Sequence, residues 1–328
     1  MLIYLFKRKR FLISFLFLST LVIASMLNTV LNDGKIRQTM VQTDDQGRIL
    51  DKPPYRPFTE YILGSDRYGY DLVHLLVEGA KWTIGIVLIV ALLRMILSII
   101  ISSFAFSLKP AIFNSMKSIF EPFSVVPQTI IAYFILFSVL WRPGDGFHTS
   151  FWERATFETI VLVLLAVPNL TIHLANEMKI VERESFIEVA KTLGAGKARI
   201  FFRHIVPHVY EKWILLFGQQ FIQSLTLLAH LGFMSLFFGG TIPPSDDGTP
   251  PRSVSYEWSG VIGGDISYLY SYPWIVLVPI GFFIATSISV ALINESVKSY
   301  FQSEDRLRLR SMKAAKHDES VKIKIPAS

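Results

Sequence analysis

The chain has 328 residues, of which 51% are hydrophobic and only 18% charged, with a mean hydropathy of +0.43. That is too apolar for an ordinary soluble domain of this length and marks an integral membrane protein. The absence of cysteine excludes disulfides, thiolate metal sites and cysteine nucleophiles, and a formal charge of +6 does not call for nucleic acid, because basic residues are expected on the inner loops of membrane proteins.

Lys7, Arg8, Lys9 and Arg10 precede an apolar run over residues 11–31. A basic start before an apolar stretch is also the format of a secretory signal, but this run is longer than a signal core and offers no small-x-small cleavage site. Residues 1–31 therefore read as a cytoplasmic N-terminus and a retained first helix. Residues 32–80 are polar, with Asp44, Asp45, Gly47, Pro53, Pro54 and Pro57, and form an extracytoplasmic segment. Asp66 and Asp71 near its end suit a turn with local capping better than a catalytic pair. A second span is predicted over 82–106 with Arg94 near its middle. A charge there costs several kcal/mol against lipid, so it faces the bundle or water, or finds a partner. A basic turn with Lys109 and Lys117 leads to a third span over 119–141, opened by Glu121 and Pro122.

The fourth span is predicted over 156–176. Pro168 loosens it near its middle, and Asn169, His173 and Asn176 follow at helical spacing on one face. The fifth span, 213–238, carries a similar stripe of Gln219, Gln223, Thr226 and His230. Such stripes hold neighbouring helices together or line a pathway; the fifth span's stripe either lines a route or meets another subunit. An outer loop over 239–271, a sixth span over 273–294 and a charged tail over 295–328 follow, so that residues 81–294 form a five-helix core. Six spans from a cytoplasmic N-terminus put 177–211 and the tail inside, and 21 of the 32 lysines and arginines fall on the inner segments taken together: the start, the turn after the second span, 177–212 and the tail.

Residues 185–207, SFIEVAKTLGAGKARIFFRHIVP, are a polar island between the fourth and fifth spans. Phe186, Val189, Ala190 and Leu193 make one apolar stripe on a short amphipathic helix. Gly194 and Gly196 stop that helix, because glycine enters the left-handed conformations a helix end needs, and a second apolar piece over 200–206 ends at Pro207. A basic amphipathic segment can simply lie on lipid headgroups, but the detailed spacing says more. Glu188, Ala190, Gly194 and Pro207 fit the pattern E-A-A-x3-G-x9-I-x-L-P, while Val189, His204 and Val206 depart from it. In this the chain resembles the permease subunits of ABC importers. The stretch YILGSDRYGYDLVHLLVEGAKWTI, at Leu63, Gly64, Asp66, Gly69, Asp71, Leu72, Leu76, Gly79 and Ala80, resembles the C-type permease of dipeptide, oligopeptide and nickel importers, as does the outer loop at Pro243, Pro244, Trp258 and Gly260.

This resemblance, over residues 60–295, implies an all-α integral membrane protein with the six-helix fold of type I importer permeases. It implies that the loop over 177–211 carries a coupling helix docked in a cleft of a cytoplasmic ATPase subunit, with Phe186, Glu188, Val189, Ala190, Leu193, Gly194, Ala195 and Pro207 as the coupling residues. The implied partners are a paralogous B-type permease in a heterodimer, two cytoplasmic ABC ATPase subunits, an extracytoplasmic substrate-binding lipoprotein, a peptide substrate and the bilayer, with no nucleic acid. The implied function is peptide uptake by alternating access across the bacterial cell membrane; nickel or metal-chelate import is the alternative.

The chain itself shows no catalytic or metal-binding motif. GAGKA at 194–198 lacks the glycine and the Ser or Thr of a phosphate loop, since Lys191 and Ala198 stand there. No H-E-x-x-H or G-x-S-x-G occurs, and the seven histidines have no metal-ligand spacing. No cofactor is expected on this chain; ATP and Mg belong to the partner ATPases. An ion-coupled transporter would carry carboxylates inside its spans, whereas only Glu121 and Glu158 lie near span ends.

Overall fold

A computed structural model describes residues 1–44, 49–245 and 248–323. Asp45 and Gly47, Asp246 and Asp247 of the second outer loop, and residues 324–328 of the tail lie outside the described residues. A short helix α1 (Leu2–Phe6) turns into α2 (Lys9–Asn32), the first span. The outer segment that follows carries a small antiparallel ladder, β1 (Gln42–Thr43) with β2 (Ile49–Asp51), a minor departure from an all-α chain.

Helix α3 (Leu72–Ala105) begins at Leu72, well before the predicted residue 82. Asp71 caps it by accepting from the Val73 N–H at 3.0 Å. The first turns look like loop by hydropathy because they carry His74, Glu78 and Lys81. These side chains meet the end of α2 rather than lipid: Asn28 Nδ2 donates to Glu78 Oε2 at 2.8 Å, and Asn28 Oδ1 lies 3.0 Å from His74 Nε2. Asp66 accepts from the Tyr68 and Tyr70 N–H groups at 2.9 and 2.8 Å, so both aspartates are local caps as expected.

The third span is not one helix. It consists of α4 (Pro110–Phe120), α5 (Pro122–Val125) and α6 (Gln128–Leu140), with an 80° bend between the first two and the last. Pro122 and Pro127 each lack the N–H that would continue the ladder, which accounts for the break. Helix α7 (Phe151–Glu182) is a long fourth span, opened by a capping box of Ser150 and Glu153, and Pro168 stays inside it. Helices α8 (Ser185–Thr192) and α9 (Lys197–Ile200) form the polar island. A π-helical turn, Phe201–Ile205, then joins α9 to α10 (Val206–Phe233), the fifth span.

A second ladder, β3 (Thr241–Ile242) with β4 (Arg252–Ser253), and α11 (Trp258–Asp265) fill the second outer loop. Helix α12 (Pro273–Ile323) runs from the sixth span into the tail without the stop expected at residue 294. Five helices among the described residues are long and apolar enough to cross a bilayer, or six if the bent pair is counted as one span.

Helix α3 sits at the centre, packed on α7, α2 and α10, with Leu76, Val87, Leu136, Leu162 and Leu225 fully buried around it or nearly so. Arg94 lies in this core as expected. Its Nε and Nη2 donate to the Leu162 carbonyl at 3.0 and 2.7 Å, so the partner is backbone rather than a carboxylate.

Candidate functional site

The polar island presents two different faces. Ile187 is buried in a cluster with Phe106, Met178, Ile200 and Ile205, and Ala190 is buried as well, whereas Val189 is 59% and Leu193 82% exposed. Phe186 shares the outer face, with its ring stacked on His208 at 4.8 Å. The single stripe read from sequence is thus corrected: Ala190 turns to the chain's own core beside Ile187, and Phe186, Val189 and Leu193 alone face out. Glu188 is also exposed. Lys191 reaches back to Glu182 of α7 at 3.1 Å, tying α8 to the end of that span.

The two glycines of the island also differ. At the end of α8 the Gly194 N–H bonds to the Lys191 carbonyl and the Ala195 N–H to the Ala190 carbonyl, both at 3.0 Å. With Gly194 at φ +82° this is the paired pattern of a Schellman end, and Ala195 tucks against the inner cluster. Gly196, at φ −69°, merely opens α9, so only the first glycine performs the stop expected of both. Pro207 does not end the second piece either. It lies in the first turn of α10 and has no N–H to give the Arg203 carbonyl, and the Val206 N–H reaches back to Phe201 instead, widening the turn without ending the helix.

On one side of the bundle, the break in the third span borders an open cavity of about 400 Å³ lined by residues 123–129 together with Asn169 and the exposed Gln223, Thr226 and His230. Asn169 Nδ2 donates to the Phe123 carbonyl at 2.8 Å, and Gln128 Nε2 to the Leu165 carbonyl at 3.3 Å, so α7 satisfies backbone and side chain at the break. Broken backbone at membrane depth is tolerated only where protein or a wet cavity satisfies it. Thr129 Oγ1 lies 3.4 Å from His230 Nδ1. Four of the six residues expected on polar faces therefore meet at one cavity. His173 and Gln219 are exposed on α7 and α10 outside its lining. Sequence reasoning missed Gln128 and Thr129, for which the two prolines bracketing residues 123–126 were the available signal. The lining has no carboxylate, lysine or arginine. It can hydrogen-bond amides without fixing a charge.

The end opposite the polar island is closed by α11. Trp258 is fully buried; its Nε1 donates to the Leu76 carbonyl at 2.7 Å and its backbone N–H to Thr83 Oγ1 at 3.0 Å. Arg67 and Asp265, both nearly buried, face each other at 3.4 Å and join the segment before α3 to the end of α11. Burial pushes the Asp66 carboxyl up to about 7 and that of Asp265 up to about 6, and it raises that of Glu257 at the start of α11. None of these carboxylates lines the polar cavity.

Comparison with known proteins gives the same direction. The family described as binding-protein-dependent transport system inner membrane component matches residues 95–302, a stretch that includes the polar island and the cavity. A putative peptide transport system permease protein of Brucella suis is 24% identical over 88% of this chain and 85% of its own length. The peptide transport system permease protein SapC of Haemophilus influenzae is 26% identical over 71% of this chain and 70% of its own. SapC of Escherichia coli is 23% identical over the same shares, 71% and 70%.

Proposed function

Because the chain belongs to the family of binding-protein-dependent transport system inner membrane components, we propose that it is the C-type permease subunit of a peptide ABC importer, working as a heterodimer with a paralogous B-type permease. As a component of such a system it is a multi-pass inner membrane protein that works with ABC ATPases and a substrate-binding protein. Two ATPase subunits, a lipoprotein receptor and cytoplasmic N- and C-termini complete the reading. Peptide as cargo is supported by the names of the relatives and by a cavity lined with neutral polar groups suited to amides.

The observation that carries the reading is the outer face of α8. A short helix bolted to its own protein through Ile187 and Ala190 keeps Phe186, Val189 and Leu193 free for a groove in another subunit. Closure of the ATPases on ATP would push this face, and α8 would pass the push to α7. The distance along α7 from Glu182 to Asn169 at the cavity is about 20 Å. Movement at the inner end would thus reach the break in the third span and reorient the cavity from one side of the membrane to the other. The chain supplies pathway and coupling and performs no catalysis; ATP and Mg are bound by the ATPases.

The test is purification of the tagged chain from membranes, with an ATPase assay on what accompanies it and uptake of labelled peptides by the reconstituted complex. A second permease and two ATPases, with hydrolysis stimulated by peptide-loaded receptor, are expected. A chain that purifies alone and transports without ATP would sink the proposal.

A further inference from the structure

The two ends of α8 are tied to different helices. In its last turn Lys191 meets Glu182, at the end of α7, at 3.1 Å. In its first turn Phe186 stacks on His208, which stands in the first turn of α10; the ring centroids lie 4.8 Å apart and the planes are within 23° of parallel. His204, one turn earlier, lies further from the same ring, at 6.5 Å and tilted by 42°. Ile187, the neighbour of Phe186, is buried in the inner cluster that also holds Val209, the neighbour of His208.

His208 is not a loose surface ring. Its Nδ1 lies 2.6 Å from the His204 carbonyl. A carbonyl can only accept, so Nδ1 carries the proton, and in the neutral ring Nε2 is the bare nitrogen. That bond sets the ring plane, and the ring plane sets the face on which Phe186 rests. Phe186 is still 37% exposed, so its ring is backed by His208 while its free part joins Val189 and Leu193 on the outward stripe.

An aromatic pair is a small contact on its own; its placement gives it leverage. Along the chain from Phe186 to His208 lie the Gly194 turn, α9 and the π-helical turn, and the stack bridges all three directly. From His208 to Gln223 α10 runs about 22 Å, and from Glu182 to Asn169 α7 runs about 20 Å. Both Gln223 and Asn169 line the same cavity. A helix of 8 residues, held by α10 at one end and by α7 at the other, is a rocker between two levers of nearly equal length.

We propose that His208 is a positioning residue for coupling: fixed by its bond to the His204 carbonyl, its ring orients Phe186 toward the ATPase groove and carries movement of α8 directly into α10. This rests on the importer reading and adds the fifth span to it as a second line of transmission beside α7.

The complete complex is reconstituted in proteoliposomes, and peptide taken up per ATP hydrolysed is measured, a ratio that does not depend on how much complex is made. His208→Ala removes ring and bond. His208→Asn keeps a side-chain N–H near the position of Nδ1 without the ring, and His208→Phe keeps the ring without the bond. His208→Ala and His208→Asn should lower the ratio about fivefold, the change expected when an aromatic contact is lost, and His208→Phe should restore about half of the wild-type value or more. Adding His208→Ala to Phe186→Ala should lower the ratio no further than Phe186→Ala alone, because both remove one contact. A wild-type ratio in His208→Ala, equal losses in the Asn and Phe variants, or additive losses in the double variant overturns the assignment. Should His208→Ala not assemble, the Asn and Phe variants, each keeping one half of the arrangement, decide between the same outcomes. A wild-type complex that fails to transport peptide on ATP counts against the importer reading, and this assignment falls with it; a coupled wild type beside an equally coupled His208→Ala counts against His208 alone.

Discussion

The two ends of the molecule use glycine for opposite reasons. At the α11 end a Cβ on Gly263 would lie 1.9 Å from the Gly232 carbonyl oxygen, and one on Gly79 would lie 2.3 Å from that of Tyr256. Helices α10 and α11 touch there backbone to backbone, and α3 touches the backbone of Tyr256 just before α11. At the α8 end a Cβ on Gly194 would meet nothing within 4 Å, yet its φ of +82° is left-handed. The α11 end is closed by contact, and the turn at Gly194 is shaped by backbone alone with open space around it. The difference teaches where a partner can act: a sealed end resists a second surface, while an empty turn beside an exposed apolar stripe leaves room for one.

Substitutions should separate the ends. The largest effect is expected for Gly263→Val, which drives a branched side chain into the Gly232 backbone; folded protein should largely disappear from membranes, as read by size-exclusion profiles of the fluorescently tagged chain. Normal yield would show that α10 and α11 are not locked. Next come Glu188→Lys and Gly194→Asp, each expected to abolish uptake at normal membrane level. Aspartate is among the residues that tolerate the left-handed region, so the Gly194→Asp loss reports charge placed beside the stripe rather than strain. Wild-type uptake by either variant would remove α8 from coupling.

Gly194→Ala should be milder, costing about 1–2 kcal/mol of local backbone strain without any clash, seen as a small drop in melting temperature with ATPase subunits still retained. The smallest effect separates the ends by pH. Asp66 and Asp265 hold protons up to about 7 and about 6 in the folded chain, whereas an unfolded aspartate releases its proton near pH 3.9. Between those values the native state binds more protons, so these two groups make stability fall as pH rises from about 4 toward 7. Asp66→Asn should flatten that slope in melting curves, while Gly194→Ala should leave it unchanged.

Much of this architecture was readable from apolar runs, because a bilayer demands length and hydropathy above all. What hydropathy could not reveal were the places where protein, not lipid, satisfies polar groups. The first turns of α3 hid behind His74, Glu78 and Lys81, whose partners are on α2. The break before Gln128 hid inside an apolar run, since its partner Asn169 lies 46 positions away in the chain. The partner of Arg94 is a backbone carbonyl, which no side-chain pattern encodes. In the island, Glu188, Gly194 and Pro207 gave a spacing, and the outward set of Phe186, Val189 and Leu193 was legible as a stripe. Ile187 was missed because a helix gripped on both sides carries two stripes, and a single-face pattern finds only one.

The widened turn between α9 and α10 has a mechanical meaning. A π turn holds one residue more than the α-helix around it, like a spare link in a chain. If that link passed from one side of Pro207 to the other, the segment between would rotate by about 100°, the angle of one helical residue. The proline supplies the reason the link stays parked at Phe201–Ile205, one step from the inner cluster that seats α8 and at the root of the helix bearing Gln223, Thr226 and His230. On the proposed reading, the joint between α8 and the cavity would have one residue's turn of play.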